Sequence, residues 1–518
     1  MKRKNVIVAL LGITLGMSQV SVAQNHVDVK LKEQADAPEI SRHIYGHFAE
    51  HLGRCIYGGF YVGEDSSIPN TNGVRNDIIE ALKELNIPNL RWPGGCFADT
   101  YHWKDGVGPK EDRPSMVNKW WGGVVEDNSF GTHDFLNLCE VLGTEPYLAA
   151  NVGSSTVKEF TEYTQYVMRE QGVPMSDYRA ENGRKEPWDV KYWGVGNEMW
   201  GCGGNMTAEH YANVYRQYAT FMTDWTNSDG LFRIASGANV ADYHWTEVLM
   251  KEVPKGLIEG VALHSYSFVE WEDKGSSTGF DEAQYFSTMQ TALKMEELVD
   301  KHAAIMDKYD PENKIALIVD EWGGWYEVEE GTNPGFLYQQ NTMRDAMIAG
   351  VTLNIFNNRA DRVKMANLAQ TVNVLQAVIL TEDEKMLLTP TYHVMNMYKV
   401  HQDATLIPVE FHSPKYTLNG ESLDAVSISA SKDKAGKVHM SLVNIDAHKS
   451  QTVKVNVKDL GVKNVTASIV KSKTLQDHNT FDNPNKITPL NFKDFKLKKG
   501  ELEIELPPFS VVVFEATK

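Results

Sequence analysis

Cysteine is scarce in this chain: Cys55, Cys96, Cys139 and Cys202 are the four in 518 residues. Their wide spacing excludes a dense disulfide scaffold, and a chain this long buries a sufficient core without one. Whether any two of them pair is left open by the sequence. Neither a CxxC nor an HExxH motif occurs, which removes the usual sequence grounds for a metal site. Past the N-terminus no apolar stretch approaches the roughly 18 residues of a membrane span, so no membrane insertion is expected. Basic residues are also in deficit, 51 Lys and Arg against 69 Asp and Glu, for a net charge of −18. Nucleic acid and other polyanions are therefore poor partners for the surface as a whole. Low-complexity tracts and internal repeats are missing, and 42% hydrophobic with 23% charged residues excludes a disordered polar chain.

The N-terminus has the layout of a targeting segment. Lys2, Arg3 and Lys4 precede an apolar run from Val6 to Met17, and Ser21-Val22-Ala23 supplies small residues for cleavage. The expectation is a signal peptide over residues 1–23 and an exported protein, periplasmic or secreted.

From residue 41 to 402 short apolar runs alternate with amphipathic stretches. The runs Ile44–Phe48, Asn89–Trp92, Pro146–Asn151, Tyr192–Gly196, Arg233–Ser236, Gly260–His264, Ala316–Asp320 and Leu353–Phe356 read as strands. Val74–Leu85, Thr156–Glu170 and Thr207–Thr226 carry apolar residues at helical spacing, the last two opening on a capping Thr. Eight strand–helix units predict an α/β fold, a (β/α)8 TIM barrel. The rival doubly wound sheet lacks its Gly-rich phosphate fingerprint after the first strand.

Residues 403–518 change texture. Val426/Ile428/Ala430, Val438/Met440/Leu442, Val453/Val455/Val457 and Leu502/Ile504/Leu506 alternate with polar residues, which predicts a C-terminal antiparallel β-sandwich. Val27, Val29 and Leu31 alternate likewise, so residues 24–40 are expected to add an N-terminal strand to that sandwich.

In a TIM barrel the chemistry sits where strands end. Strand four ends in Gly196-Asn197-Glu198 and strand seven in Asp320-Glu321-Trp322. Two carboxylates facing one cleft are what glycosidic cleavage needs, one protonated and one ionised; a lone Glu at a strand end is as readily a surface ion pair. The other strand ends are polar too: Glu50 and His51, Arg91, Asn151, His264 and Tyr266, then Asn357, Asn358, Arg359 and Gln370. A cation near a carboxylate keeps it ionised, and Asn and Gln match hydroxyls that both donate and accept. The 12 Trp and 21 Tyr offer flat faces suited to sugar rings, though most such residues only pack.

Seven blocks carry a specific resemblance: Ile44–Arg54 (IYGHFAEHLGR), Arg91–Phe97 (RWPGGCF), Tyr101–Lys110 (YHWKDGVGPK), Gly194–Met199 (GVGNEM), Leu263–Tyr266 (LHSY), Asp320–Tyr326 (DEWGGWY) and Leu368–Val374 (LAQTVNV). In this order they resemble the α-L-arabinofuranosidases of glycoside hydrolase family 51. The resemblance implies an exo-acting, retaining enzyme with Glu198 as acid/base and Glu321 as nucleophile. It implies that Asn197 bonds the 2-hydroxyl, that Arg91 and Tyr266 bracket Glu321 with His264 nearby, and that Glu50 and Gln370 hold ring hydroxyls. Cys96 lies where members carry Asn or Cys, and would contact sugar hydroxyls; Trp103, Trp322 and Trp325 are candidate apolar walls. No cofactor and no metal is implied. The implied partner is an arabinose-bearing oligo- or polysaccharide, and family members often form hexamers, so a homo-oligomer is expected. Two alternatives stay open: another retaining barrel glycosidase such as an endoglucanase or β-xylosidase, and a sugar-binding protein without catalysis, against which the pair of Glu residues argues.

Overall fold

The computed structural model describes residues 26–226 and 230–518, so the expected signal peptide lies outside the described residues. Eight parallel strands close into a barrel: β1 (Gly46–Phe48), β2 (Asn89–Trp92), β3 (Glu145–Ala150), β4 (Tyr192–Val195), β5 (Phe232–Asn239), β6 (Gly260–Ser267), β7 (Ala316–Gly324) and β8 (Val363–Leu368). Strands β8 and β1 complete the ring, with Leu368 beside His47. Every residue of β7 is buried, as expected of a strand covered on both faces. Tyr147, Tyr192, Ile234, Ala262, Ile318 and Met365 form a separate cluster. They come from six of the strands, β3 to β8, and they make the barrel a packed core rather than a pore.

The helices form where capping and amphipathic spacing dictate. Thr156 caps Val157–Met168 by accepting from the Glu159 amide at 3.1 Å, and Thr207 caps Ala208–Phe221 through the His210 amide at 3.3 Å. Helix Asn76–Leu85 buries Ile78, Ile79, Leu82 and Leu85 and stops at Asn86, whose φ of 54° ends the turn in the left-handed region.

One expected strand is wrong. Leu353–Phe356 lies inside the helix Met343–Asn358, and the eighth barrel strand is Val363–Leu368. That helix is buried from Met343 to Asn357, because one side packs on the barrel and the other on the sandwich. A helix buried all round shows no amphipathic period, and a four-residue apolar run within it looks like a strand. Asn357, expected past a strand end, instead bonds Tyr45 and Ser429 away from the cleft.

Two sheets make the C-terminal sandwich. One has the order Val409–Glu410, His26–Leu31, Gln451–Asn456, Glu501–Leu506, Phe495–Lys498. The other has the order Thr405–Leu406, Val426–Lys432, Val438–Asn444, Ser510–Thr517, Asn464–Val470, Leu490–Asn491. The N-terminal strand does join, but it runs parallel to Gln451–Asn456, with Val27 opposite Val453 and Val29 opposite Val455. Among the described residues no helix is long and apolar enough to cross a membrane.

Candidate active site

The ends of β1, β2, β4, β6, β7 and β8 bring the expected residues into one cleft. Arg91 is 2% exposed and Glu321 6%. Arg91 Nη1 donates to Glu321 Oε1 at 3.0 Å and to the Asp320 carbonyl at 3.0 Å, and its Nη2 donates to Asn197 Oδ1 at 2.6 Å. The Tyr266 hydroxyl donates to the other Glu321 oxygen at 2.8 Å. Burial and the neighbouring Glu321 push the Tyr266 pKa well up, so the hydroxyl stays a donor. Glu321 is thus fixed in one rotamer by a cation and a phenol.

The close approach depends on Gly94-Gly95, which follow β2. A Cβ on Gly95 would lie 2.8 Å from Glu321 Oε1, and one on Gly94 would lie 2.8 Å from Glu50 Cγ. Any larger residue would have to displace a carboxylate.

Glu198 stands at the end of β4 with φ of 43°, a left-handed conformation uncommon for a side chain of this size. Its Oε1 is 2.9 Å from His264 Nδ1. An oxygen of Glu198, an oxygen of Glu321 and a His264 ring nitrogen all lie within 4.8 Å of one another. Burial raises the Glu198 pKa first; Glu321 raises it further, and His264 works in the opposite direction. His264 Nε2 meets Asp320 Oδ1 at 3.1 Å. Burial opposes charge on this imidazole, but Glu321, Asp320 and Glu198 outweigh it and lift its pKa to about 10. Asp320 is held below the usual carboxylate range: burial would raise it, but Arg91, His264 and Tyr147 prevail.

Glu50 closes the opposite wall. Its Oε1 accepts from the Phe97 amide at 3.1 Å and from Trp121 Nε1 at 2.8 Å, and its Oε2 accepts from Gln370 Nε2 at 3.0 Å. Burial, then the charge of Glu321, push its pKa up to about 7. Two carboxyls this close, Glu321 held by Arg91 and Tyr266 and Glu198 biased towards its proton, can carry out acid/base and nucleophilic steps on a single bond.

The expectations for Cys96, Trp103 and Trp322 need correcting, and the polar strand-end residues His51 and Asn151 have structural partners. Cys96 is not a free thiol lining the pocket: it forms a disulfide with Cys202, with Cα atoms 5.5 Å apart, while Cys55 and Cys139 are free and buried. Trp322 is packed against Phe356 in the core, and Trp103 is stacked on Tyr163, so neither is a pocket wall. His51 accepts from Trp92 Nε1 at 3.1 Å beneath the site. Asn151 bonds Ser154 and the Tyr101 carbonyl, holding its own loop. Trp325 does stand at the cleft, its ring edge-on to Tyr266 at 5.1 Å.

Sequence reasoning passed over three residues. Asp99 accepts from the amides of Val152, Gly153 and Asn197 at 2.7, 2.8 and 2.8 Å, tying the loops after β2, β3 and β4 together. Trp121 reaches Glu50 from a loop hairpin, and Tyr147 donates to Asp320 at 2.7 Å from within β3. Asp99 had a signal, being two residues past the Arg91–Phe97 block, and Tyr147 lay within an expected barrel strand. Trp121 had none, because its loop carries no motif.

Comparison with known proteins agrees with this geometry. Residues 81–302 match the α-L-arabinofuranosidase 1 domain and residues 320–510 the α-L-arabinofuranosidase C-terminal domain. The crystal structure of the GH51 arabinofuranosidase from Xanthomonas axonopodis pv. citri is 47% identical, with a TM-score of 0.93 covering 95% of this chain and 100% of that one. The α-L-arabinofuranosidase from Thermotoga maritima, solved as an arabinose complex, is 30% identical with a TM-score of 0.83, covering 95% and 100% of the two chains. The chain is also 50% identical over 495 residues to the intracellular exo-α-L-arabinofuranosidase of Bacteroides ovatus, covering 95% of this chain and 96% of that protein. That intracellular relative overturns the expectation of an exported, periplasmic or secreted enzyme. Its coverage and identity, with both domain matches, decide the family: the chain belongs to the α-L-arabinofuranosidases of glycoside hydrolase family 51.

Proposed function

We propose that this protein is an exo-acting, retaining α-L-arabinofuranosidase that removes terminal non-reducing α-L-arabinofuranosyl residues from arabinose-bearing oligo- or polysaccharides. The observation that carries the proposal is the Glu198–Glu321 pair. Their nearest oxygens fall within 4.8 Å. Oxygens this close suit the separation of about 5–5.5 Å between carboxyls at which retaining glycosidases work better than the roughly 6.5–9.5 Å that an attacking water needs.

Glu321, held by Arg91 and Tyr266, attacks the anomeric carbon. The bond to the leaving oxygen breaks as Glu198 gives that oxygen its proton. Glu198, now ionised, takes a proton from water; the water oxygen attacks the anomeric carbon and the ester to Glu321 breaks, regenerating both groups. Asn197, oriented by Arg91, bonds the 2-hydroxyl, and Glu50 with Gln370 holds ring hydroxyls. The Cys96–Cys202 disulfide lines the same pocket. In this reading residues 41–402 are the catalytic barrel and 403–518 the sandwich, with 24–40 contributing its extra strand. The assembly is a homo-oligomer, a hexamer, which light scattering can weigh.

The test is stereochemical. Proton NMR of the first-formed arabinose should show the α anomer before mutarotation. Glu321→Gly should be inactive and partly rescued by azide, giving the β-azide. A β-configured first sugar from the unaltered enzyme overturns the assignment. A panel of nitrophenyl glycosides should show arabinofuranoside turnover far above that of xyloside and glucoside.

A further inference from the structure

We infer that Cys96 and Cys202, once reduced, join Glu198 in binding one thiophilic divalent cation of the zinc class, and that this cation switches the site off. The inference rests on the acid/base role given to Glu198 above.

The three donors already converge. Cys202 Sγ is 3.5 Å and Cys96 Sγ 3.9 Å from the same oxygen, Glu198 Oε2. All three donor atoms lie within 4.8 Å of one another. A tetrahedral zinc with bonds of about 2.3 Å to sulfur and 2.1 Å to oxygen sets sulfur and oxygen ligands about 3.6 Å apart. The two observed gaps straddle that value, so on reduction only the two sulfurs must separate. Cys202 stands between Gly201, whose side is open, a Cβ there meeting nothing nearer than 3.7 Å, and Gly203, which packs against the Asn197 carbonyl, so the Cys202 sulfur has space to move on the Gly201 side. All three residues are partly exposed at the cleft, so a cation can enter and keep a water in its fourth position.

The chemistry balances with one named co-reactant. A dithiol reductant closes to its own disulfide and passes two electrons and two protons to the Cys96–Cys202 bond, giving two thiols. Reducing compartments hold many such pairs in that form. The cation then displaces both thiol protons to solvent, and no electrons move. Two thiolates and a carboxylate suit zinc or cadmium better than magnesium or calcium, which prefer oxygen. A carboxylate that serves as a ligand must be ionised. Glu198 bound in this way has no proton for the leaving oxygen, so hydrolysis stops until the cation leaves or the disulfide re-forms.

A second group, Glu198, His264 and Glu321, is equally close-set. Its atoms are already engaged, however: Glu321 by Arg91 and Tyr266, and His264 by Asp320 and Glu198. It also exists in both redox forms, and the experiment separates the two sites on that basis.

The full chain is reduced with a phosphine, which takes its oxygen from water and leaves two thiols, then desalted without air and titrated with cadmium. An untreated sample is titrated in parallel. The expected result is thiolate-to-cadmium ultraviolet absorbance saturating at one cation per reduced chain, with loss of most nitrophenyl arabinofuranoside turnover and recovery on adding EDTA. The untreated enzyme should show neither effect. Cys202→Ala should lose the absorbance, and its cation affinity should fall by at least the roughly 10–100-fold that even an outer-shell partner contributes. No absorbance in the reduced enzyme overturns the site. Equal inhibition of both redox forms overturns it in favour of the Glu198–His264–Glu321 group. Absorbance with full turnover overturns the switch, and locates the fault in the role given to Glu198 rather than in the ligand set.

Discussion

His264 and Glu198 share a contact of 2.9 Å between Nδ1 and Oε1, and the charge on the imidazole opposes the two effects that keep the proton on the carboxyl. Burial and Glu321 raise the Glu198 pKa; His264 lowers it. Removing the cation therefore leaves Glu198 protonated to higher pH. His264→Gln should move the alkaline limb of the kcat/KM profile upward while lowering the plateau, because the acid loses its orienting partner. A pH–rate series on one aryl arabinofuranoside reads this directly. An alkaline limb that stays put separates His264 from the titration of Glu198.

Glu198→Ala should lose about 10²–10⁴-fold in turnover on substrates with poor leaving groups. The loss should be much smaller on aryl glycosides whose leaving group needs little protonation. Equal losses on the two substrate types would assign Glu198 another task.

Arg91 contacts Glu321, Asp320 and Asn197 at once. Arg91→Ala should lower kcat by more than it raises KM, because it removes the group that positions the nucleophile rather than one that grips substrate. Arg91→Lys should recover only part of the loss, since a point charge cannot serve three acceptors as the planar fork does. A pure KM effect makes Arg91 a binding residue.

Asp99→Ala should act on stability. It strands the buried amides of Val152, Gly153 and Asn197. At about 1–3 kcal/mol for each orphaned group, the cost should be several kcal/mol in a denaturant titration. Turnover should fall as well, since the Asn197 amide precedes Glu198.

Legibility in the sequence followed how locally each feature is encoded. Strands such as Asn89–Trp92 announce themselves as short apolar runs between turns, and the period-two pattern of Val453, Val455 and Leu502 survives because one face of each sandwich strand meets water. The helix Met343–Asn358 hides because no face of it does. Glu198 and Glu321 were readable because a barrel delivers strand ends to one rim. The Cys96–Cys202 bond joins the loops after β2 and β4 across 106 residues, and spacing alone cannot select it from the possible pairings. The reach of Trp121 to Glu50 depends on how a loop hairpin folds over the cleft, which no residue pattern reports.

The strand His26–Leu31 lies between Val409–Glu410 and Gln451–Asn456, so the first described segment to leave the ribosome finds its partners among the last. At about 5–20 residues per second the interval is on the order of tens of seconds. Throughout that time Val27 and Val29 sit on a strand with both edges unpaired, while the barrel behind them can already close. Yield in a heterologous host should therefore depend on translation speed and chaperone supply more than on the final stability of the fold, and slowing synthesis lengthens the exposure rather than relieving it.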